Sequence, residues 1–216
     1  QGLGRAMAEY LAGKGARIAL IDLQQDKLDE AAAACQAAGS EARAYVCNVA
    51  SEEQVTDTFN AIVNDFGQLN GLINNAGVVF GGEFEQVSLE QHLNTFRINT
   101  EGLMATSHAF IEDLIQAKEG YLVNIASASA FIGLPYGSTY AASKWAVVGF
   151  SESLRLELAV RKIKHVHVTS VCPSYISTGM FDGVKTPLFS PMLTPKKVVK
   201  SIIRGMQKKD AIVIEP

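Results

Sequence analysis

Residues Gln1–Leu23 read QGLGRAMAEYLAGKGARIALIDL. Gly2 and Gly4 stand just ahead of a helical pattern running from about Arg5 to Lys14, and the apolar run ARIALID follows, ending on Asp22. Glycines leading into a helix let the backbone come close to a ligand. The helix start then offers unpaired N–H groups and the positive end of its dipole to an anion. The pattern is the second half of a strand–turn–helix phosphate loop, so a strand is expected ahead of Gln1 and the chain as given is expected to be incomplete there. That leaves a targeting signal or membrane anchor open. A simple turn, with Asp22 capping it, accounts for the same residues.

Outward from this stretch, helical and strand patterns alternate with little between them. A helix near Lys27 to Ala38 precedes ARAYVCNV, and a third helix carries Val55, Phe59, Ile62, Val63 and Phe66 on one face before LNGLINNAG. A long helical stretch from Leu89 to Lys118 precedes GYLVNIASAS, and Tyr140 to Arg161 precedes HVHVTSVCP. A last helix from about Lys196 leads to AIVIEP. The strands are short, apolar and β-branched, as when helices cover both faces. The expected fold is α/β, a Rossmann-type doubly wound parallel sheet in a single domain over 1–216, with its first strand absent and therefore wanting a central member.

Composition narrows the class. The 216 residues are 48% hydrophobic with a net charge of −3, which suits a globular enzyme-sized core and argues against a general nucleic-acid binder. The basic runs RKIKH and KKVVK read as solvated faces. Cys35, Cys47 and Cys172 have neither disulfide nor metal spacing, so a reducing, cytoplasmic setting is expected. His165 and His167 alternate along a strand with no third ligand at metal spacing, and no metal is assigned. His92 and His108 have no distinguishing context.

The chemistry is carried by NIASASAFIGLPYGSTYAASK, residues 124–144. Tyr140 and Lys144 are four apart at a helix start and share a face. A tyrosine of ordinary pKa ~10 is a poor base at neutral pH, and an ammonium one turn away is expected to lower it. Ser127 precedes Tyr140 by 13 residues at the C-terminal end of a strand, where open α/β sheets present their ligand crevice. Its hydroxyl is placed to hold the same substrate oxygen. Taken singly, each residue also reads as surface decoration or local backbone bonding. Asp22 stands 18 positions after Gly4, where a carboxylate meets adenosine ribose hydroxyls and repels a 2′-phosphate. Leu23 adds no cation, so NAD is favoured over NADP.

With these motifs together, the chain resembles the short-chain dehydrogenase/reductase family along its whole length. YAASK matches the family's Tyr-x-x-x-Lys, Ser127 its serine, NNAG (Asn74 to Gly77) its sheet motif, and Asn99 in RINTEG its helix asparagine. QGLG matches the end of its glycine loop. The resemblance implies Tyr140 as general acid/base and Lys144 as its partner, also bonding the nicotinamide ribose. It implies Ser127 orienting the substrate and Asn99 supporting a water-linked proton relay. By the same resemblance Gly2, Leu3, Gly4, Asp22, Asn48, Val49, Asn75, Ala76, Gly77, Pro173, Ile176 and Thr178 would line the cofactor, with hydride passing at the nicotinamide. Asn99 also reads as a helix residue bonding backbone or solvent.

Two departures bear on the site. Asn48–Val49 replaces the family's Asp–Val, which should weaken an adenine contact modestly. Pro173–Ser174 replaces Pro–Gly, which would strain the loop if that position needs positive φ. A substrate lid is expected at about 174–196, where Met180, Phe181, Leu188, Phe189, Met192 and Leu193 are apolar. With Phe131 and Leu134 they favour an apolar alcohol or ketone, steroid-, retinoid- or lipid-like, although packing of the lid or a partner subunit explains them equally. Lid and tail resemble the retinol and hydroxysteroid branch. Assembly as a homodimer or homotetramer is implied through the two long helices. The competing readings are an NADPH-dependent carbonyl or 3-oxoacyl reductase, which Asp22 opposes, and a non-catalytic dinucleotide-binding sensor or scaffold, which the intact Asn99, Ser127, Tyr140 and Lys144 oppose.

Overall fold

The computed structural model describes residues 2–178 and 192–215. Its elements run α1 (Gly2–Ala12), β1 (Ile18–Asp22), α2 (Gln25–Ala37), β2 (Ala42–Val46), α3 (Glu52–Phe66) and β3 (Gly71–Asn74). Then follow α4 (Leu89–Phe96), a π-helical segment (Arg97–Gly102), α5 (Leu103–Gln116), β4 (Gly120–Ile125) and a 3₁₀ turn (Ala128–Ala130). The chain continues through α6 (Ser138–Val160), β5 (Val166–Pro173), α7 (Pro195–Lys208) and β6 (Ile212–Glu215). The strand and helix order is the expected one. The difference lies in the long stretch from Leu89, which a π-helical turn divides into α4 and α5.

All strand pairs are parallel. β1 pairs with β2, and β3, β4, β5 and β6 pair in that order. Among the described residues the parallel strands form two hydrogen-bonded groups. Alternation along the strands sends side chains to opposite faces. Val123 and Ile125 of β4 join Leu3 and Met7 of α1 and Val198, Val199 and Ile202 of α7 on one face. Leu122 joins Ile62 and Phe66 of α3, Phe110 and Leu114 of α5 and Leu158 of α6 on the other. Ala19, Ile21 and Tyr45 of the two-stranded group pack against that second cluster, so α3 spans both groups.

Local signals set the helix starts. Ser51 caps α3 by accepting from Gln54 N–H, Ser88 and Gln91 form a reciprocal capping box on α4, and Thr194 caps α7 with Pro195 following it. α6 differs, since it follows Gly137 without a side-chain cap.

Candidate active site

Within each hydrogen-bonded group the described strands run parallel, so their C-terminal ends lie along one edge of that group, where an open α/β sheet holds its ligand. Asp22 ends β1, Asn48 and Val49 follow β2, and Asn75, Ala76 and Gly77 follow β3. Ser127 follows β4, and Pro173 ends β5 just before Ile176 and Thr178. The topology therefore gathers residues more than 150 positions apart.

Tyr140 lies in the first turn of α6 and Lys144 one turn later, and both are buried. The Lys144 Nζ donates to the Ile125 carbonyl at 2.8 Å and sits 5.8 Å from the Tyr140 ring centroid. Ser127 hydrogen-bonds the Tyr140 phenol, and its Oγ accepts from Ser129 N–H at 3.2 Å, so one hydroxyl meets both the phenol and local backbone. The sequence expects Lys144 to lower the Tyr140 pKa, and the structure corrects this. Burial pushes Tyr140 up, against the opposing hydrogen bond from Ser127. Burial also brings Lys144 down to about 8. Both charged forms lose water on burial, and that cost is the largest influence on each. The phenol is therefore held as an acid at neutral pH, beside a lysine that still carries a proton there.

Asn99 sits in the π-helical segment, which spans the same residues as RINTEG. Its Oδ1 accepts from Val78 N–H at 2.8 Å, while Nδ2 donates to the Val78 carbonyl at 3.0 Å and to Ser143 Oγ at 3.0 Å. Ser143 Oγ in turn donates to the Tyr140 carbonyl at 2.7 Å. Asn99 thus bonds backbone, as the plainer account has it, but the backbone of a distant loop and not of its own helix. A π turn is a costly local geometry often found at functional sites, and here it brings the amide to the catalytic helix. Ser143, in YAASK itself, is a member of the site that pattern reading passes over. Tyr175, whose phenol adds a repulsive influence on a Tyr140 phenolate, is another.

The nucleotide side is tested by how closely backbone segments approach. Gly2 has φ of 62°, a left-handed conformation suited to glycine, and a Cβ there would lie 3.3 Å from the Thr178 Cβ. A Cβ on Gly4 would come within 2.8 Å of Asn75 Nδ2, and one on Gly77 within 3.3 Å of Asn99 Oδ1 and 3.5 Å of Lys144 Nζ. Predicted phosphate, adenosine and nicotinamide residues are thus mutual neighbours. No acidic residue occupies the first turn of α1, which suits an anion near that turn. The close backbone approaches and the glycine turn fit a dinucleotide, for which Lys144, Pro173 and Thr178 would hold the reacting end and Asp22, Asn48 and Val49 the adenosine end.

Asp22 is exposed, and its Oδ1 accepts from Gln24 N–H at 3.1 Å. Asn48 Oδ1 accepts from Ala50 N–H at 3.0 Å, so both residues turn the chain as well as facing the edge. Ile176 presents main chain and not side chain at this edge. Its side chain is buried among Leu193, Val198 and Val199, which leaves only its backbone for a ligand. The concern over Ser174 does not materialise, because it is absent from the residues with positive φ. Leu3 likewise points into the core.

On the substrate side, Phe131 is 44% exposed at the end of the 3₁₀ turn. Met180 and Phe181, with Leu188 and Phe189, lie outside the described residues. An open apolar depression of about 720 Å³ is lined by Leu134, Pro135, Ala141, Ala142 and Trp145, on the face of α6 turned away from Tyr140. It neighbours the reacting centre without containing it. His165 and His167 bond the Ile115 carbonyl and Glu119, and no cluster of three metal-binding side chains occurs among the described residues. Cys35, Cys47 and Cys172 are free and buried, and no helix among the described residues is long and apolar enough to cross a membrane.

Parallel strands wrapped by helices, with a glycine turn, a buried Tyr–Lys pair and a half-buried serine beside it, define a nucleotide-dependent oxidoreductase. The family model described as short chain dehydrogenase matches residues 1–188, and the chain belongs to that family. It is 33% identical to epidermal retinol dehydrogenase 2 of Homo sapiens over 218 residues, covering all of this chain and 71% of the relative. It is 29% identical to estradiol 17-beta-dehydrogenase 11 of Homo sapiens over 215 residues, again covering all of this chain and 71% of the relative. Among solved structures, a short chain dehydrogenase/reductase from Burkholderia phymatum in complex with NAD superposes with a TM-score of 0.90 at 26% identity, covering 99% of this chain and 84% of that one. An alcohol dehydrogenase from the archaeon Thermococcus sibiricus complexed with 5-hydroxy-NADP gives 0.86 at 25%, covering 100% and 90%. The chain is a nicotinamide-dependent oxidoreductase acting on alcohol or ketone groups.

Proposed function

We propose that this chain is an NAD-dependent alcohol dehydrogenase of apolar substrates, with Tyr140 as its general acid/base. The observation that carries the reading is the buried Tyr140 phenol, hydrogen-bonded to Ser127 and standing over the Lys144 ammonium. A bound nicotinamide supplies or accepts the hydride. Ser127 orients the substrate oxygen toward Tyr140, which gives its proton to a ketone oxygen or takes one from an alcohol. Lys144 stabilises the phenolate form as it appears, and Asn99 and Ser143 hold the turn in which Tyr140 sits.

The substrate class rests on Phe131 and the apolar segment 179–193, together with relatives named for retinol and estradiol. The exposed carboxylate of Asp22 supports NAD over NADP, a choice on which the structural neighbours differ. Exposed Met104 on α5 and Trp145, Leu156 and Val160 on α6 support assembly as a homodimer or homotetramer through those helices.

The test is nicotinamide reduction with NAD, then NADP, against estradiol, all-trans-retinol and aliphatic secondary alcohols. Turnover with NAD on an apolar member should fall by ~10²–10⁴-fold in Tyr140→Phe. Equal activity in that variant would remove Tyr140 from the chemistry. Cofactor binding without turnover on any member would favour the non-catalytic reading.

A further inference from the structure

The helix that carries Tyr140 does not hold its own beginning. α6 starts at Ser138 after Gly137, with no side-chain cap. An uncapped first turn leaves N–H groups unsatisfied and frays unless something outside restrains it. Two ties reach this point from the segment after β3. Gly82 N–H donates to the Tyr136 carbonyl at 2.9 Å, and Thr139 Oγ1 lies 2.6 Å from His92 Nδ1. Tyr136 itself has φ of 62°, a conformation a side-chain-bearing residue adopts only under restraint.

His92 is fixed on its other sides. It lies in α4, whose start is set by the Ser88–Gln91 capping box. Its Nε2 is 3.0 Å from the Phe84 carbonyl, and its ring stacks on Phe84 with centroids 4.6 Å apart at 29°. A carbonyl only accepts, so Nε2 carries the proton and Nδ1 of the neutral ring accepts from the Thr139 hydroxyl. The chain from Val78 to Phe84 is therefore tied to the reacting centre at two points. Asn99 holds it at Val78, and His92 links it at Phe84 to the residue next to Tyr140.

We propose that His92 is a positioning residue for Tyr140, acting through Thr139 to fix the first turn of α6 against the segment 79–88. The proposal rests on the reading of Tyr140 as acid/base. It places the effect of His92 on the rate of the chemical step, because a phenol displaced by a fraction of an ångström still binds substrate but meets its oxygen poorly.

Two substitutions separate the bonds of the ring. His92→Asn keeps an acceptor near the Nδ1 position, while His92→Gln keeps a donor toward Phe84 and lacks the acceptor for Thr139. The first readout needs no substrate: the ring resonance of Tyr140 in tyrosine-labelled protein, assigned with Tyr140→Phe. It should move in His92→Ala, His92→Gln and Thr139→Val, and stay in place in His92→Asn and Thr139→Ser. The second is steady-state kinetics with NAD and estradiol or all-trans-retinol. His92→Ala, Thr139→Val and their double variant should each lose ~10-fold in kcat with the KM for NAD unchanged, since the two residues act as one unit.

Independent, multiplying losses in the double variant would overturn the proposal. So would a His92→Asn protein no better than His92→Gln, or an unmoved Tyr140 resonance throughout. If the wild type turns over neither alcohol, that result bears on the functional reading alone, and the Tyr140 resonance decides the role of His92.

Discussion

The two ends of the candidate site are built by different means. At the adenosine end, Asp22 bonds Gln24, Asn48 bonds Ala50 and Gln54, and Ser51 bonds Gln54, all partners two to six residues away on exposed turns. At the reacting end, Lys144 bonds Ile125, and Asn99 bonds Val78 and Ser143, partners 19 to 44 positions away. Beneath them Asn74 joins Ser107 and Asn124, and Asn124 joins Ser151, in a buried network that ties β3, β4, α5 and α6 together. Local turns shape a rim that ligands touch and solvent reaches. Long-range bonds in a dry interior set positions that proton transfer requires to a fraction of an ångström. Substitutions should accordingly cost more at the reacting end.

The largest expected effect on stability comes from Asn99→Ala. It strands the Val78 N–H and carbonyl and one side of Ser143 Oγ, so a loss of about 1–3 kcal/mol is expected. Thermal unfolding should then come roughly 2–12 °C earlier for a chain of this size. A variant as stable as the parent would mean that water replaces the amide, and that the reacting end is no more tightly determined than the rim. Activity should fall as well, because Ser143 and the Tyr140 carbonyl are next in the chain of bonds.

A second test uses pH. Lys144 is brought down to about 8 by burial, while Tyr140 is pushed up and keeps its proton. For ketone reduction, kcat/KM should therefore be level at neutral pH and decline as pH rises through about 8, when the ammonium beside the phenol is lost. Linkage gives a sign for stability too. A lysine whose folded pKa lies below its unfolded value binds fewer protons when folded, so its contribution grows more favourable as pH rises from about 8 toward 10.5. Relative to Lys144→Met, the parent should gain stability over that window. A flat difference would show Lys144 to be solvated.

The same division explains what could be read before the structure. Strand and helix order is written in local periodicity, and turn residues such as Asp22 and Asn48 act on neighbours, so both were legible. Tyr140, Lys144 and Ser127 were legible because helix spacing and strand ends constrain them locally. The sign of the Tyr140 shift was not, because it depends on burial by segments remote in sequence. Nor was the π turn, which nothing in RINTEG announces, nor His92, whose partners Phe84 and Thr139 lie 8 and 47 positions away. The motif does not reveal that the Ile176 side chain packs in the core with α7 residues, leaving its backbone toward the edge. Polar spacing alone does not reveal which side of a loop will be dry.

The smallest effect should appear at the rim, and it sharpens the comparison most economically. Asp22→Ser keeps an oxygen to accept from Gln24 N–H, so the turn should survive and stability stay within about 0.5 kcal/mol. What changes is the charge at the end of β1. If Asp22 repels a 2′-phosphate, the ratio of kcat/KM for NAD to that for NADP should drop by ~10-fold, chiefly through a lower KM for NADP, as expected for a modest electrostatic term in an exposed site. kcat should scarcely move, because Tyr140 and Lys144 stand at the other end of the edge. A change in kcat equal to the change in KM would couple the two ends and undo the separation. An unchanged ratio would instead leave Asp22 as a turn residue whose other oxygen meets only water.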